Sequence, residues 1–590
     1  MNESGHIRAT VDAAVRAIQA GRPEEVPPTL RRAIALVPDH AEAHHGLASI
    51  ERSEGKGGAA LSRYRRAVAI SPALVDALVS LADTLLSSGQ NDAAAATYAK
   101  CLTLRPDWQE VRLVHALAPA LGGDAARIEV AGAALRSLLS DCGGDDRRAS
   151  LAQMLLTLLH EIAPVPVTRG LIRLIEPAMP PTETIFKSVG FLSQMSGDPD
   201  GANRAYAAAA AMMEERAARH PLASTGLRVI LPDWVIRSLG ETAIRLLTIS
   251  KLKALGMLKV RNLKLAAPPE MVANQPFLDL FSPHIDLVTD PAEVNRTLAL
   301  ARELAIDSTC LQLADGRFLY LHQALAVAER AWADARLPPL LSLPGARLRA
   351  GRVRLQEAGL PADAWYVAVN VREPSFHGVG EGRERLDRTA RDADISTYVA
   401  AMERVVARGG WVIRLGGGPG APRLPSMPRV VDYSHSPCRS PELDVVILAG
   451  ARFVIATVSG PAHVASCFGT PFVMTNASPT VNTATDRDIW MPRLYRERRS
   501  GRILSLEESL SDPLRGELRG SGVQDYGLSL VDNSSEEIAE ATDEMLDRLE
   551  GKPVRDDPRV AALYERKAWP CLGPISARFL ARHASDLLPG

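Results

Sequence analysis

Small and hydrophobic residues recur along the first part of the chain at a fixed interval. Pro38, Pro72 and Pro106 lie 34 residues apart, and the positions between them repeat in kind. Gly46-Leu47-Ala48, Ala60, Tyr64 and Ala67 precede Pro72, while Leu81-Ala82, Leu85, Ala94, Tyr98 and Cys101 precede Pro106. A weaker copy begins near Ile7, with Ala13, Ala14, Ala17, Leu30 and Ala33 ahead of Pro38. The spacing predicts stacked helix pairs: small residues where paired helices touch, an aromatic knob one turn on, and a proline before the next pair.

Residues 107–180 keep a helical pattern but lose this register, with turns at Gly122-Gly123-Asp124 and Gly143-Gly144-Asp145-Asp146. The register returns in Thr184–Glu215 through Phe186, Val189-Gly190, Ala202, Tyr206 and Ala209. The pattern is that of tetratricopeptide repeats, over residues 1–120, followed by degenerate helical repeats over 121–222. An α-solenoid of this kind presents an extended concave surface, and a protein partner is its expected occupant. The competing expectation is an arm that only packs or dimerises.

Near Gly226 the period changes. Leu227–Leu231, Leu263–Ala267 and Ile285–Val288 are short apolar runs suited to buried parallel strands. They alternate with helical patterns at Thr242–Leu255, Pro291–Leu304 and Tyr320–Ala335. The alternation predicts one α/β domain over 223–345, ending in a proline-rich segment, and a second over 346–590. The second contains strands at Trp365–Val371, Trp411–Leu415, Arg429–Tyr433, Phe453–Ala456 and Phe472–Met474, and a closing helix within Leu530–Leu549.

Composition narrows the class. Lys+Arg 68 against Asp+Glu 69 gives no general attraction for nucleic acid. Six scattered cysteines, without a CxxC, argue against structural zinc and a disulfide framework. The start lacks an apolar leader, and no run of about 18 uncharged residues predicts a membrane span. A cytoplasmic protein is expected.

Three strand ends of the second α/β domain carry candidate chemistry. After Trp365–Val371 come Arg372, suited to clamp phosphate, and Glu373 and His377, either suited to act as a base. After Trp411–Leu415 runs a glycine loop, Gly416-Gly417-Gly418-Pro419-Gly420, preceded by Arg414. It lets backbone approach a ligand closely but is neither a P-loop nor a Rossmann fingerprint. In the third, Thr457, Ser459, Gly460 and His463 surround a helix start, and Asn476 ends the next strand. Unpaired N–H groups and the macrodipole make that start an anion site.

The run VSGPAHVASCFGTP at Val458–Pro471 resembles the donor-binding segment of bacterial heptosyltransferases. The wider set resembles a bacterial family of glycosyltransferase-like proteins that often carry tetratricopeptide repeats. That set comprises VREPSF at Val371–Phe376, RDADISTY at Arg391–Tyr398, GWVIRLG at Gly410–Gly416, VDYSHS at Val431–Ser436, Asp444, T-x-SG at Thr457–Gly460 and FGTPFVMTN at Phe468–Asn476. The resemblance implies a GT-B-like pair of Rossmann-like α/β domains behind the α-solenoid, and a nucleotide sugar as donor substrate rather than a cofactor. It also implies a transfer to a protein or glycan acceptor, without metal, and Arg372 contacting the donor diphosphate as in fucosyltransferases. Glu373, His377 and Asp394 are the candidates for the base; Arg414, Gly416, Gly417, Thr457, Ser459, Gly460, His463 and Asn476 are the expected donor contacts. A repeat scaffold whose α/β half only binds a nucleotide or sugar is the alternative, and a nucleotide-sugar epimerase a third.

Overall fold

The computed structural model describes residues 26–373, 390–417, 421–478, 485–511, 514, 520–567 and 571–588. The weak repeat copy ahead of Pro38 falls mostly outside these residues. The chain divides into two compact units, Met1–Pro181 and Thr182–Gly590.

In the first unit, helices α1 (Val26–Leu36), α2 (Ala41–Ser53), α3 (Gly57–Ile70), α4 (Val75–Ser87) and α5 (Asn91–Leu104) follow one another. Tyr64, Tyr98, Ala60 and Ala94 are buried between them, as the repeat pattern requires. The helix starts at 41, 75 and 109, and at 57, 91 and 125, keep the 34-residue interval. The third pair therefore runs through α6 (Gln109–Leu117) and α7 (Ala125–Ser140), across the boundary drawn at residue 120. Register is lost in the sequence there because sizes are exchanged. Ile128 and Gly132 stand where the earlier repeats have Ala94 and Tyr98. The helix α9 (Val165–Ile175), which follows α8 (Asp145–Ile162), supplies the complement. A Cβ on Gly132 would lie 2.6 Å from Leu174 Cδ1, and one on Gly170 would lie 3.0 Å from Ile128 Cγ2.

The second unit opens with α10 (Glu183–Met195) and α11 (Pro199–Arg219), whose starts are offset by the same 16 residues as 41 and 57. Strands β1 (Leu227–Ile230), β2 (Asn262–Ala266), β3 (Asp286–Val288) and β4 (Ala305–Ile306) form a parallel sheet in the order β3-β2-β1-β4. An antiparallel pair, β5 (Cys310–Gln312) and β6 (Phe318–Tyr320), follows. The larger sheet holds β7 (Tyr366–Val371), β8 (Trp411–Gly416), β9 (Val430–Val431), β10 (Val454–Ala456), β11 (Phe472–Ala477) and β12 (Ile489–Pro492). All its pairings are parallel, in the order β12-β11-β10-β7-β8-β9. This is the doubly wound arrangement, and its order reverses between β7 and β10. Strands β13 (Leu494–Glu497) and β14 (Leu528–Val531) pair separately.

One apolar core runs through both parallel sheets and their helices. Near it, Lys251 of α12 (Leu239–Ala254) places its ammonium 2.8 Å from both carboxylate oxygens of Glu329 on α13 (Leu321–Asp334). Burial pushes the Glu329 carboxyl up, and Lys251 opposes this. At the far end of the chain, α14 (Gly460–Cys467) precedes β11, and α15 (Ser535–Leu549) carries the fully buried Glu544. That carboxylate accepts from the Ser576 hydroxyl at 2.7 Å and from the N–H groups of Ala577 and Arg578 at 3.2 and 3.1 Å, capping α16 (Ala577–Leu587). None of the six cysteines is joined in a disulfide. No helix among the described residues is long and apolar enough to cross a membrane.

The Gly190 and Gly58 helix positions predict opposite responses to a methyl group. A Cβ on Gly190 would lie 2.8 Å from the Tyr206 ring, whereas one on Gly58 meets nothing within 4 Å. Gly190→Ala is expected to destabilise by about 1–2 kcal/mol, overpacking outweighing the gain in helix propensity, and Gly58→Ala to stabilise by up to about 1 kcal/mol. Thermal and urea melts of the two variants check the sign.

Candidate functional site

The reversal point of the larger sheet is fastened by short hydrogen bonds between the ends of β7 and β10. The Thr457 N–H donates to the Asn370 carbonyl at 3.2 Å, and the Thr457 hydroxyl accepts the Arg372 N–H at 3.0 Å. Asn370 donates its side-chain N–H to the Ser459 hydroxyl at 2.9 Å, and that hydroxyl donates to the Thr457 carbonyl at 2.9 Å. Thr457 is fully buried and Asn370 nearly so. The chain at Arg372 and at Thr457–Ser459 is thereby tied together beyond the carboxyl edge of the sheet, where doubly wound proteins place their ligands.

Ser459 occupies the N-cap position of α14, yet its side chain does not cap the helix. The same holds for Ser238 at the start of α12. The leading N–H groups of an α-helix have no partner within the helix, so both starts present donors and the positive end of a dipole. The two starts touch: a Cβ on Gly240 would lie 2.9 Å from the Gly460 Cα, and one on Gly460 would lie 2.8 Å from the Gly240 N. Only glycine at both positions permits this approach of backbone to backbone. The smaller sheet thus contributes a wall to the site through Gly240, a residue that strand-end reasoning on the larger sheet alone passes over.

His463 lies on the same turn of α14, with its Cδ2 3.9 Å from the Cβ position of Gly240. Burial lowers its pKa to about 4, helped by His322 and opposed by Glu241. The ring is therefore neutral near pH 7.

Arg372 stands at the end of β7 with its guanidinium Nε 3.2 Å from Asp392 Oδ1. Both side chains are largely buried, at 11% and 8% exposure. Arg493 holds this segment in place, donating to the carbonyls of Asp392, at 2.6 Å, and Ala390. Asp392, which sequence reasoning missed, is thus the acid beside Arg372. Asp394, two residues on, is exposed and caps a short turn by accepting the Ser396 N–H at 2.8 Å. Its charge acts on Glu373 at the end of β7.

Glu373 and Arg414 are also placed differently from the expectation. Arg414 is 0% exposed and donates to Glu373 at 2.7 Å and to the Pro422 carbonyl at 2.7 Å, with both Asp432 oxygens 3.3 Å away. Burial raises the Glu373 pKa while Arg414 pulls it down. Burial acts on Asp432 in the same sense, but bonds from Ser434 and the Leu424 N–H, with Arg414 and His435 nearby, hold it low. Arg414 therefore ties β8 to the loops after β7 and β9, and its charge is balanced inside the protein instead of facing a phosphate. Gly416 and Gly417 adopt φ +79 and +71, and a Cβ on Gly416 would lie 3.0 Å from Asn370 Oδ1. Gly416 packs against the reversal point, and Gly417 against Ser434 and Ala421.

Asn476 is buried and engaged within the protein. Its backbone has φ 51, its N–H donates to Asn533 Oδ1 at 2.6 Å, and its own Oδ1 accepts the Asn533 N–H at 2.7 Å. This reciprocal pair occupies the amide that the donor was expected to meet. His377, Gly418 and Gly420 lie outside the described residues.

A tetratricopeptide repeat model matches residues 51–118. Solved structures with similarity include PilF of Pseudomonas aeruginosa, at 20% identity over 38% of this chain and 96% of that one, with a TM-score of 0.24. Others are a tetratricopeptide repeat protein of Parabacteroides merdae, at 15% identity over 35% and 93%, TM-score 0.21, and a thermophilic one of Thermus thermophilus, at 18% over 34% and 98%, TM-score 0.21. No curated protein matches the chain.

The depressed pKa of His463 predicts a pH dependence with a definite sign. An unfolded histidine takes up a proton near pH 6.5 and the folded one only near pH 4, so the contribution is present above 6.5 and is lost as pH falls toward 4. Between pH 7 and pH 5 the loss is expected to be on the order of 2 kcal/mol. Urea unfolding at the two pH values, compared with His463→Gln, measures it; equal pH slopes in both proteins would refute it.

Proposed function

We propose that the chain is a glycosyltransferase of GT-B type, in which the two parallel sheets form the acceptor and donor sides and a nucleotide-sugar diphosphate sits at the reversal point between β7 and β10. The tetratricopeptide repeats of the N-terminal region are the protein-binding part, and in this reading they recruit the acceptor protein or an assembly partner. The observation that carries the reading is the contact of Gly240 with Gly460. Two helix starts without side-chain caps meet at the carboxyl end of a doubly wound sheet, one from each sheet. An anion gains from both dipoles there.

In the transfer, charge grows on the diphosphate oxygen as its bond to the sugar breaks. The N–H groups at the start of α14 and the Arg372 guanidinium are the groups that would stabilise it. Asn370, Thr457 and Ser459 act one step removed, by tying Arg372 to the start of α14. The likeness of the Val371–Phe376 and Phe468–Asn476 segments to glycosyltransferase-like proteins supports the choice of ligand.

One observation favours a second reading, a scaffold without catalysis: Arg372 and Arg414 both already face carboxylates. The two readings differ in turnover. A thermal-shift screen over nucleoside diphosphates and nucleotide sugars is expected to raise the melting temperature for at least one, as ligand at about a hundredfold its Kd adds roughly 2.7 kcal/mol. Arg372→Ala is expected to weaken that shift. Absence of any shift at millimolar ligand would defeat both readings, and a shift without release of nucleoside diphosphate in the presence of cell-extract acceptors would favour the scaffold.

A further inference from the structure

The helix pair α10–α11 keeps repeat spacing but belongs to the unit with the sheets. Three of its attachments among the described residues bear on the site. Glu214 of α11 accepts a hydrogen bond from Arg228 of β1 at 2.7 Å, and Lys187 of α10 stands 3.5 Å from Asp307, just after β4. The third attachment is aromatic. The Tyr206 ring lies parallel to the Tyr320 ring, with centroids 5.7 Å apart and planes at 15°. Gln194 joins the two hydroxyls: its carbonyl oxygen accepts from Tyr206 at 3.3 Å and its amide donates to Tyr320. Ala202, Ala210, Cys310 and Phe318 pack around the stack.

Tyr320 ends β6 and is the N-cap of α13. Two residues on, on the first turn of that helix, His322 has its ring centroid 5.4 Å from that of Tyr320. Helix α13 is fixed against α12 by the buried pair of Lys251 and Glu329. His322 is therefore held by Tyr320 on one side and by the anchored helix below. On the other side it is close enough to His463 for its charge to act there, as does that of Glu241, the third residue of α12. Both charges therefore reach the joint at which His463 of α14 lies 3.9 Å from the Cβ position of Gly240 on the first turn of α12.

We propose that α10 and α11 serve as the positioning element for His322: Tyr206 and Gln194 clamp Tyr320, and Tyr320 sets the His322 imidazole where the helix starts meet. Tyr206, Gln194 and Tyr320 are positioning residues, acting through His322 on an anionic ligand at the joint. The ligand part rests on the transferase reading; the clamp does not.

The test is the rate at which diethyl pyrocarbonate modifies His322 in the full chain, followed by peptide mass spectrometry, with and without inorganic pyrophosphate. Tyr206→Leu removes the stack and Tyr320→Phe only the hydroxyl bonded to Gln194, so the second variant keeps the test open if the first folds poorly. The His322 rate is expected to change by roughly two- to tenfold in each variant, with the rate at a distant histidine, His115, unchanged. An unaltered His322 rate in a folded Tyr320→Phe protein, or equal changes at His115, would overturn the clamp. Protection of His322 by pyrophosphate in the parent protein that weakens in the variants supports both parts. A clamp effect without any protection supports the positioning role and counts against an anion site at the joint.

Discussion

The second unit depends on one close approach, that of Gly240 to Gly460. A side chain at either position would meet main-chain atoms at about 2.9 Å or less, and backbone cannot rotate away as a side chain can. Two helix starts are brought together there although their dipoles repel, and the surrounding apolar core supplies the force that holds them. Such an arrangement is unfavourable for an empty protein and favourable for one that binds negative charge. The loops after β7 and β10, bonded to one another through Asn370, Thr457 and Ser459, bring the rest of the site to the same point.

The arginines illustrate how burial sorts groups of equal charge. Arg414 lies within β8 on the covered side and is surrounded by Glu373, Asp432 and a carbonyl, so its role is to join loops. A charge so placed is tolerable only with such partners, and removing one would leave the other uncompensated. Arg372 lies at the strand end, where it is ion-paired with Asp392, whose backbone is pinned by Arg493. The difference between the two is one of position along the strand and not of chemistry.

Repeats and strands were legible in the sequence because each rests on local size and polarity. Tyr64 and Tyr98 mark their helix pairs, and continuous apolar runs mark the parallel strands of a sheet covered on both faces. Where one local rule was exchanged for another the reading stopped: Ile128 and Gly132 reverse the sizes, and only the facing Leu174 and Gly170 show that the helices still fit. Strand order depends on pairings distant in sequence, so the reversal point between β7 and β10 was out of reach, although both strand ends had been singled out. Asp392 was missed in favour of Asp394 because two acids separated by one residue differ only in which way the turn directs them. Asn476 looked like a strand-end polar group, and nothing near it in the sequence pointed to Asn533.

That last pair bears on how the chain is made. Asn476 sits in a left-handed conformation and its partner is 57 residues further along. During synthesis from the N-terminus, the helical repeats can form in succession from neighbouring segments. The strand containing Asn476 is exposed earlier than the residue that satisfies it. At elongation rates of about 5–20 residues per second this leaves an interval of some seconds in which Asn476 lacks the partner that satisfies its backbone. In such a chain the repeats fold before the long-range pair that completes the second unit can form.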